Sequence, residues 1–291
     1  MDLKTIYKPI SYEVGQVEKE MKAQLEQICT DVTSSSCCQK FLVRVIHHIF
    51  NIPGKRLRPA LVLLSARSAN PHIQNMRPLI RLSVAVELIH TASLIHDDII
   101  DESKTRRKQR TLNEKFDNKI AVLVGDILYS QFFSILANLP VDKSLHSKLL
   151  NIFCGITQKM CFGEIFEHKI KYSCGKASFN DYVRVIENKT ACLMAASCQS
   201  GGLLSGADET TTNELKNYGL DLGVLYQIVD DYIDQDSILS GDIDLKAKAR
   251  EVAEQAAGHL DALEETIYRK KLVELAEYVL EKSVDTPAVQ V

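Results

Sequence analysis

An apolar stretch that ends in acid opens the chemical reading of this chain. ELIHTASLIHDDIIDESKTRR, residues 87–107, closes on Asp97, Asp98 and Asp101 and is followed by Arg106 and Arg107. On a helix Asp97 and Asp101 lie one turn apart on a shared face, with Asp98 three residues before Asp101. Like charges at that spacing cost a helix roughly 0.2–0.5 kcal/mol. Three of them at the mouth of an apolar helix point to a cation, and an all-carboxylate oxygen set suits a hard ion, Mg²⁺ before Zn²⁺. The two arginines are fixed cationic forks suited to phosphate. An acidic helix end on its own is ordinarily a solvated face, but this chain repeats the pattern. YQIVDDYIDQD, residues 226–236, sets Asp230, Asp231 and Asp234 at the same D-D-x-x-D spacing after another apolar run. Two such clusters, facing each other across a helical bundle, are expected to hold one group of divalent ions.

Other residues add phosphate chemistry. In GKRLRP, residues 54–59, Lys55 and Arg58 flank a short turn beside a glycine, where two cations can hold a diphosphate. Asn188-Lys189-Thr190 interrupts an otherwise apolar helical stretch, and an inward lysine there is costly without an anionic partner. His90 and His96 lie within the first acidic helix, where a lone histidine is more often packing; His96 is read as structural.

The elements that must position these groups are helical. Val14, Val17, Met21, Leu25 and Ile28 recur at spacings of three and four, predicting a first amphipathic helix. Ser34, Ser35 and Ser36 interrupt it, and 40–51 resumes the pattern. Ile52-Pro53-Gly54 marks a turn. Helices are predicted over 60–69, 77–101, 119–138 and 144–171. A further helix capped by Ser178 runs to about 203, and another covers 209–236. Residues 102–116 read as a charged loop, and 245–282 as two short helices or one bent at Gly258. No two-residue alternation and no solenoid repeat stands out. The reading is all-α, one domain over 1–291.

Composition sets outer bounds. With 45% hydrophobic and 25% charged residues the chain has an ordinary globular make-up, and a net charge of −3 gives no basic field for nucleic acid. Eight cysteines, Cys37 and Cys38 adjacent and no C-x-x-C pair, fit free and mostly buried thiols in a reducing compartment. The first twenty residues lack the apolar core of a signal peptide. No uncharged apolar run approaches the length of a membrane span. A cytoplasmic protein, at most peripheral to a membrane, is expected.

The two D-D-x-x-D motifs, the Arg106-Arg107 pair and GKRLRP together resemble the trans-isoprenyl (polyprenyl) diphosphate synthase family, from about Gly54 to Asp236 and again in the last forty residues. The resemblance implies a helical bundle of the isoprenoid-synthase type around a central apolar cavity. It implies condensation of isopentenyl diphosphate with an allylic diphosphate, all-trans, by a homodimer. Asp97, Asp98, Asp101, Asp230, Asp231 and Asp234 would then hold Mg²⁺, three ions by resemblance, and Lys189 would share the catalytic load with the aspartates. Lys55, Arg58, His90 and Arg107 match the groups that grip isopentenyl diphosphate. Arg106, Lys189, Thr190 and Gln227 match contacts to the allylic substrate. Gly125-Asp126 and Gly163-Glu164 match family patterns too and are assigned packing roles. In the implied reaction the ions and cations neutralise charge on departing pyrophosphate, and the allylic cation is kept dry until the double bond attacks. Pyrophosphate itself is taken as the base.

Chain length follows from helix geometry. An isoprene unit and a helical turn are each about 5 Å long, so each turn before Asp97 gates one addition. Family members that make short products often place aromatic rings four or five residues before the first aspartate. Here Ser93 and Ala92 stand there, Ile89 and Ala85 lie deeper, and Phe132 and Phe133 are candidates for a floor. A product longer than about twenty carbons is expected, of the kind used for quinone side chains.

One departure stands out. After Asp236 only SILSGDID precedes the next helix, so the lysine-bearing loop implied by the resemblance is missing, and nothing in the spacing of Lys246 or Lys248 replaces it. A non-catalytic partner subunit of a heteromeric synthase is therefore an alternative, although a scaffold need not keep two acidic motifs. A class I terpene cyclase is disfavoured by the second D-D-x-x-D and by GKRLRP.

Overall fold

The computed structural model describes residues 2–31, 36–50, 54–234, 238–239 and 243–285. Its helices are α1 (Leu3–Tyr7), α2 (Ser11–Asp31), α3 (Ser36–Phe50), α4 (Leu57–Ala69), α5 (Arg77–Ile100), α6 (Leu112–Lys115) and α7 (Asn118–Ala137). They continue with α8 (Lys143–Lys169), α9 (Phe179–Ile186), α10 (Cys192–Leu204), α11 (Glu209–Asp234), α12 (Leu245–His259) and α13 (Ile267–Asp285). The all-α expectation holds, with one two-stranded ribbon of β1 (Thr105–Arg106) and β2 (Gln109–Arg110) among the described residues. The chain forms two compact units, Tyr12–Pro59 with Ile80–Pro140, and Met1–Ser11 with Ala60–Leu79 and Val141–Val291.

The unit holding α5 is built on the stripe read from the sequence. Val17, Met21, Leu25 and Ile28 of α2 are buried, as are Val84, Leu88, Ile89, Ala92 and Ile95 of α5 and Val124, Leu128 and Phe132 of α7. Each large aliphatic or aromatic side chain withdrawn from water contributes about 1.5–3 kcal/mol. The segment 102–116, expected as loop, instead forms the ribbon and α6. The ribbon's turn residues Arg107 and Lys108 have φ of 49° and 65°, the left-handed pair of a type I′ hairpin turn. A ladder of two residues per strand is too short to show a two-residue period in sequence. The interruption at Ser34 and Ser35 and the Ile52-Pro53 part of the turn lie outside the described residues, as do Asp236 and most of the segment after it.

In the second unit α11 packs against α10, α12 and α13. It comes close to α10 because a Cβ on Gly219 would stand 2.7 Å from the Met194 carbonyl oxygen. Ser178 caps α9 as predicted, its Oγ accepting from the Asp181 amide. The single helix expected from Ser178 to about 203 is broken by a π-helical turn, Glu187–Ala191, between α9 and α10. The C-terminal pattern resolves into two helices, α12 and α13, joined through a 3₁₀ turn at Leu260–Ala262.

Two expectations need correction. The described cysteines are free, but Cys37, Cys38, Cys154 and Cys161 are exposed, and only Cys29, Cys192 and Cys198 are buried; the exposed ones lie on α3 and α8 at positions that face outward. Although no uncharged run is long enough, α5 and α7 are long and apolar enough by mean hydropathy to cross a membrane. The apolar window of α5 is 67% buried within this chain and that of α7 39%.

Candidate functional site

The first acidic cluster sits at the C-terminal end of α5 beside the ribbon. Asp98 is buried and Asp101 exposed. Arg106, at the end of β1, aims its guanidinium at one oxygen of Asp98, with Nε at 2.9 Å and Nη2 at 2.8 Å from Oδ1. Burial pushes the Asp98 carboxyl up from its ordinary value, and Arg106 opposes that rise. Asp98, expected as a metal ligand, thus has an arginine partner. Arg106, expected on the allylic diphosphate, is held by Asp98. Spacing along the chain could not show that a two-residue ribbon would fold Arg106 back onto the aspartate.

The pocket next to this cluster is lined by His90, Asp98, Arg106, Arg107 and Arg110, together with His48, Arg56 and Glu87. His90 is held well below its ordinary value, first by loss of hydration and then by the charges of Arg58, Arg107, Arg106 and Arg56. A neutral His90 therefore stands inside a ring of guanidinium groups. Arg58 and Arg107, singled out with His90 from the sequence, belong to that ring; Lys55 lies exposed on the neighbouring turn. His48 of α3 ties the ribbon down. Its Nδ1 accepts from the Lys115 ammonium at 2.9 Å, so its Nε2 donates to the Arg110 carbonyl at 2.7 Å. His96 behaves as packing, with Nε2 3.6 Å from Asp126 Oδ1 and its ring filling the space over Gly125.

The chain-length positions lie in the same unit. Ala92, Ile89 and Phe132 are completely buried. Ser93 is half-buried and bonds back to the His90 carbonyl at 2.9 Å. Phe132 and Phe133 stack edge to face at 4.8 Å, and Tyr129, which sequence reasoning passed over, joins them at 6.4 and 5.7 Å.

The second acidic cluster, in the other unit, is organised around Asp231. Tyr182 Oη donates to its Oδ2 at 2.7 Å, and Gln227 Nε2 to its Oδ1 at 2.7 Å. Thr190 Oγ1 donates to Gln227 Oε1 at 3.2 Å. Burial pushes Asp231 up, and the Tyr182 and Gln227 bonds work against that. Both oxygens of Asp231, expected as a metal ligand, thus carry hydrogen bonds. Gln227, expected on substrate, orients that carboxylate. Asp230 is half-buried and Asp234 exposed.

Lys189 projects from the π-helical turn into the same pocket, which Glu167, Lys171, Tyr182, Thr190, Gln227, Asp231 and Ile238 also line. The anionic partner sought for this lysine lies within the chain: it pairs with Glu164 Oε2 at 2.7 Å and with Glu167 Oε2. Glu164, assigned to packing, is thus an ion-pair partner, while Gly163 does pack. A Cβ there would stand 2.7 Å from Lys189 Cα and 2.9 Å from the Asn188 carbonyl carbon. Burial would lower the Lys189 ammonium, but the two glutamates hold it well above its ordinary value. Two of its three N–H donors face those carboxylates. Lys171 pairs with Glu167 Oε1 at 2.8 Å. Sequence reasoning missed Glu167, Tyr182 and Lys171 because they meet Lys189 and Asp231 only across packed helices. Ile238 and Leu239 are pinned here: the Ala177 amide donates to the Ile238 carbonyl at 2.7 Å, and Ala177 bridges Leu239. Lys248 reaches neither acidic group, pairing with Glu251 and lying over the Phe179 ring.

Among the described residues no three of His, Cys, Asp and Glu converge into a preassembled metal site. The donor chemistry nonetheless fits a hard divalent ion. Each acidic motif offers half-buried and exposed carboxylates, on α5 and α11, next to cationic groups suited to phosphate.

A profile of the family described as polyprenyl synthetase matches residues 39–239. The chain is 35% identical over 231 residues to a prenyl transferase of Porphyra purpurea, covering 79% of this chain and 66% of that protein. It is 34% identical over 234 residues to heptaprenyl diphosphate synthase component 2 of Geobacillus stearothermophilus, covering 80% and 67%. The chain spans about half to two thirds of the length of most such curated relatives. Its fold is similar to that of a decaprenyl diphosphate synthase from Rhodobacter capsulatus, with a TM-score of 0.80, 24% identity, and coverage of 97% of this chain and 99% of that one.

Proposed function

The chain belongs to the polyprenyl synthetase family, and from that membership we propose that it is a divalent-metal-dependent polyprenyl diphosphate synthase. It would join isopentenyl diphosphate to an allylic diphosphate, all-trans, and release pyrophosphate. The observation that carries this reading is the guanidinium-lined pocket around His90 beside the acidic end of α5; the second unit carries its own acidic helix end on α11, next to Lys189. In this proposal Arg107, His90, Lys55 and Arg58 hold isopentenyl diphosphate. Lys189, fixed by Glu164 and Glu167, directs its remaining N–H at the allylic diphosphate, and Arg106, held by Asp98, is assigned to the same substrate. Thr190 and Gln227 orient Asp231. When bound, Mg²⁺ on carboxylates of Asp97, Asp101, Asp230 and Asp234 would supply Lewis-acid neutralisation of the leaving pyrophosphate; three ions is the family expectation. The apolar residues along α5 exclude water from the cationic carbon. The proton lost after attack by the double bond passes to pyrophosphate.

A product longer than about twenty carbons, of the quinone side-chain type, is supported by the small, buried Ala92 and by Ile89, with Tyr129, Phe132 and Phe133 as a floor further along. The relative named above for a seven-unit product points the same way. Homodimerisation is part of the proposal, supported by apolar residues left exposed on α7 (Val122, Leu123) and on α8 (Phe162, Ile165, Phe166). So is a cytoplasmic location, supported by the free thiols. One observation favours a second reading: the relative called component 2 is by name one part of a two-part synthase, so this chain would act only with a partner subunit. Incubation of the pure protein with Mg²⁺, labelled isopentenyl diphosphate and farnesyl diphosphate separates the readings. Extension supports the first. No turnover by the pure protein, with extension restored by a second subunit, supports the other.

A further inference from the structure

The residue between the two cations of GKRLRP has a different partner set from its neighbours. Arg56 is a buried arginine with φ of 50°, a left-handed conformation that is costly for a non-glycine residue. Its guanidinium is gripped on both sides. Nε lies 2.5 Å from Glu18 Oε1 and Nη2 3.4 Å from Glu18 Oε2, on α2, while Nη1 lies 2.7 Å from Glu87 Oε1, on α5. Glu87 stands one turn before His90 and lines the same pocket. Gly54 closes over this group. A Cβ there would come within 2.9 Å of Arg56 Nη1, 3.2 Å of Glu87 Oε1 and 3.4 Å of Arg107 Nη1. A side chain at Gly54 would press on the ends of these three side chains and so on the ion cluster itself.

Glu87 is, with the Arg106-paired Asp98, an acid in a pocket that must attract an anion. Removing one partner of a buried ion pair leaves an uncompensated charge, and here that charge would face an incoming diphosphate. We propose that Arg56 is a positioning residue of the isopentenyl diphosphate subsite: it cancels Glu87, anchors to Glu18, and so keeps the pocket cationic and the Gly54–Arg58 turn seated. The inference rests on the function proposed above. Lys55, Arg58, His90 and Arg107 touch the substrate; Arg56 acts through Glu87 and the backbone.

The informative variant is Arg56→Gly, which removes the guanidinium while glycine accepts the left-handed backbone. In steady-state extension assays the KM for isopentenyl diphosphate should rise at least about tenfold, the scale of a lost charge-assisted bond, while the KM for the allylic diphosphate moves less than about twofold. Adding Glu87→Gln to that variant should recover most of the loss, because the uncancelled carboxylate is gone. A purely structural role for Arg56 would not show that recovery. An unchanged KM for isopentenyl diphosphate, an equal rise in both constants, or no recovery in the double variant overturns the proposal. If Arg56→Gly does not fold, Arg56→Asn takes its place, since asparagine tolerates a left-handed backbone but carries no charge to cancel Glu87; a parental KM there overturns it as well. Calorimetric binding of isopentenyl diphosphate to the parent keeps the two claims apart. A parent that binds but never extends it sinks the function and leaves the positioning role to be judged on Kd in the same variants. A parent that does not bind it sinks both.

Discussion

Gly163→Ala should damage catalysis through a backbone contact. The new Cβ on α8 would press on the π-helical turn that carries Lys189, 2.7 Å from its Cα, where ordinary contact begins at 3.4 Å. The opposing atoms are backbone, so rotamer changes cannot relieve the clash, and the turn must retreat by 0.7 Å at that point. Overpacking of this kind costs about 1–3 kcal/mol, and a misplacement of order 1 Å at a reacting centre costs about a hundredfold in rate. The expected result is a melting point lower by a few degrees, extension slower by about one to two orders of magnitude, and an unchanged affinity for isopentenyl diphosphate. Gly155→Ala on the same helix is the control, because nothing lies within 4 Å of its added Cβ. Replacing a glycine inside a helix there should raise stability by about 0.5–1 kcal/mol. Turnover by Gly163→Ala within about twofold of the parent would refute the claim that the π-helical turn fixes Lys189.

Other expectations follow from single contacts. Ala92→Phe, at a fully buried position of α5, should shorten the products resolved by chromatography; an unchanged length distribution removes Ala92 as a gate. Lys108→Gly should raise stability by about 1 kcal/mol, because Lys108 occupies a left-handed turn position at φ 65°; a lower denaturation midpoint would mean that the turn is not strained. For Glu167, burial pushes the carboxyl up, but Lys189 and Lys171 outweigh it and hold the group below its ordinary value. Its stabilising contribution is therefore complete above the unfolded carboxylate pKa of about 4.3 and is lost as pH falls through the lower folded value. Glu167→Gln should melt below the parent at pH 7, with the gap closing under strongly acidic conditions; a gap independent of pH would contradict the linkage.

The parts of this fold legible in sequence were those with a local period or a local repeat. The apolar spacing of α2 predicted its buried face, and the paired D-D-x-x-D motifs predicted two helices with acidic ends. What escaped was pairing across elements. Lys189 reads as an inward lysine in want of an anion, but nothing in its own neighbourhood names Glu164 and Glu167, about one turn apart on another helix. Asp98 and Asp231 look like their motif partners in sequence, yet Arg106 engages one, and Tyr182 and Gln227 engage the other. A π-helical turn hides for a related reason: one extra residue in a helix shifts the period only slightly, and the turn Glu187–Ala191 is only five residues long. Arg56 was overlooked between two more obvious cations, because a left-handed backbone leaves no mark in composition.

The bridge from Ala177 to Ile238 and Leu239 makes that pair of residues part of the pocket wall. Ile238 and Leu239 are both buried, and Ile238 lines the cavity that holds Lys189. The Ala177 amide, bonded across that bridge, becomes a natural reporter: its solvent exchange rate tracks whether the wall beside the second acidic helix is seated. A ligand that tightens this corner of the molecule would announce itself at a single peptide N–H that it never touches.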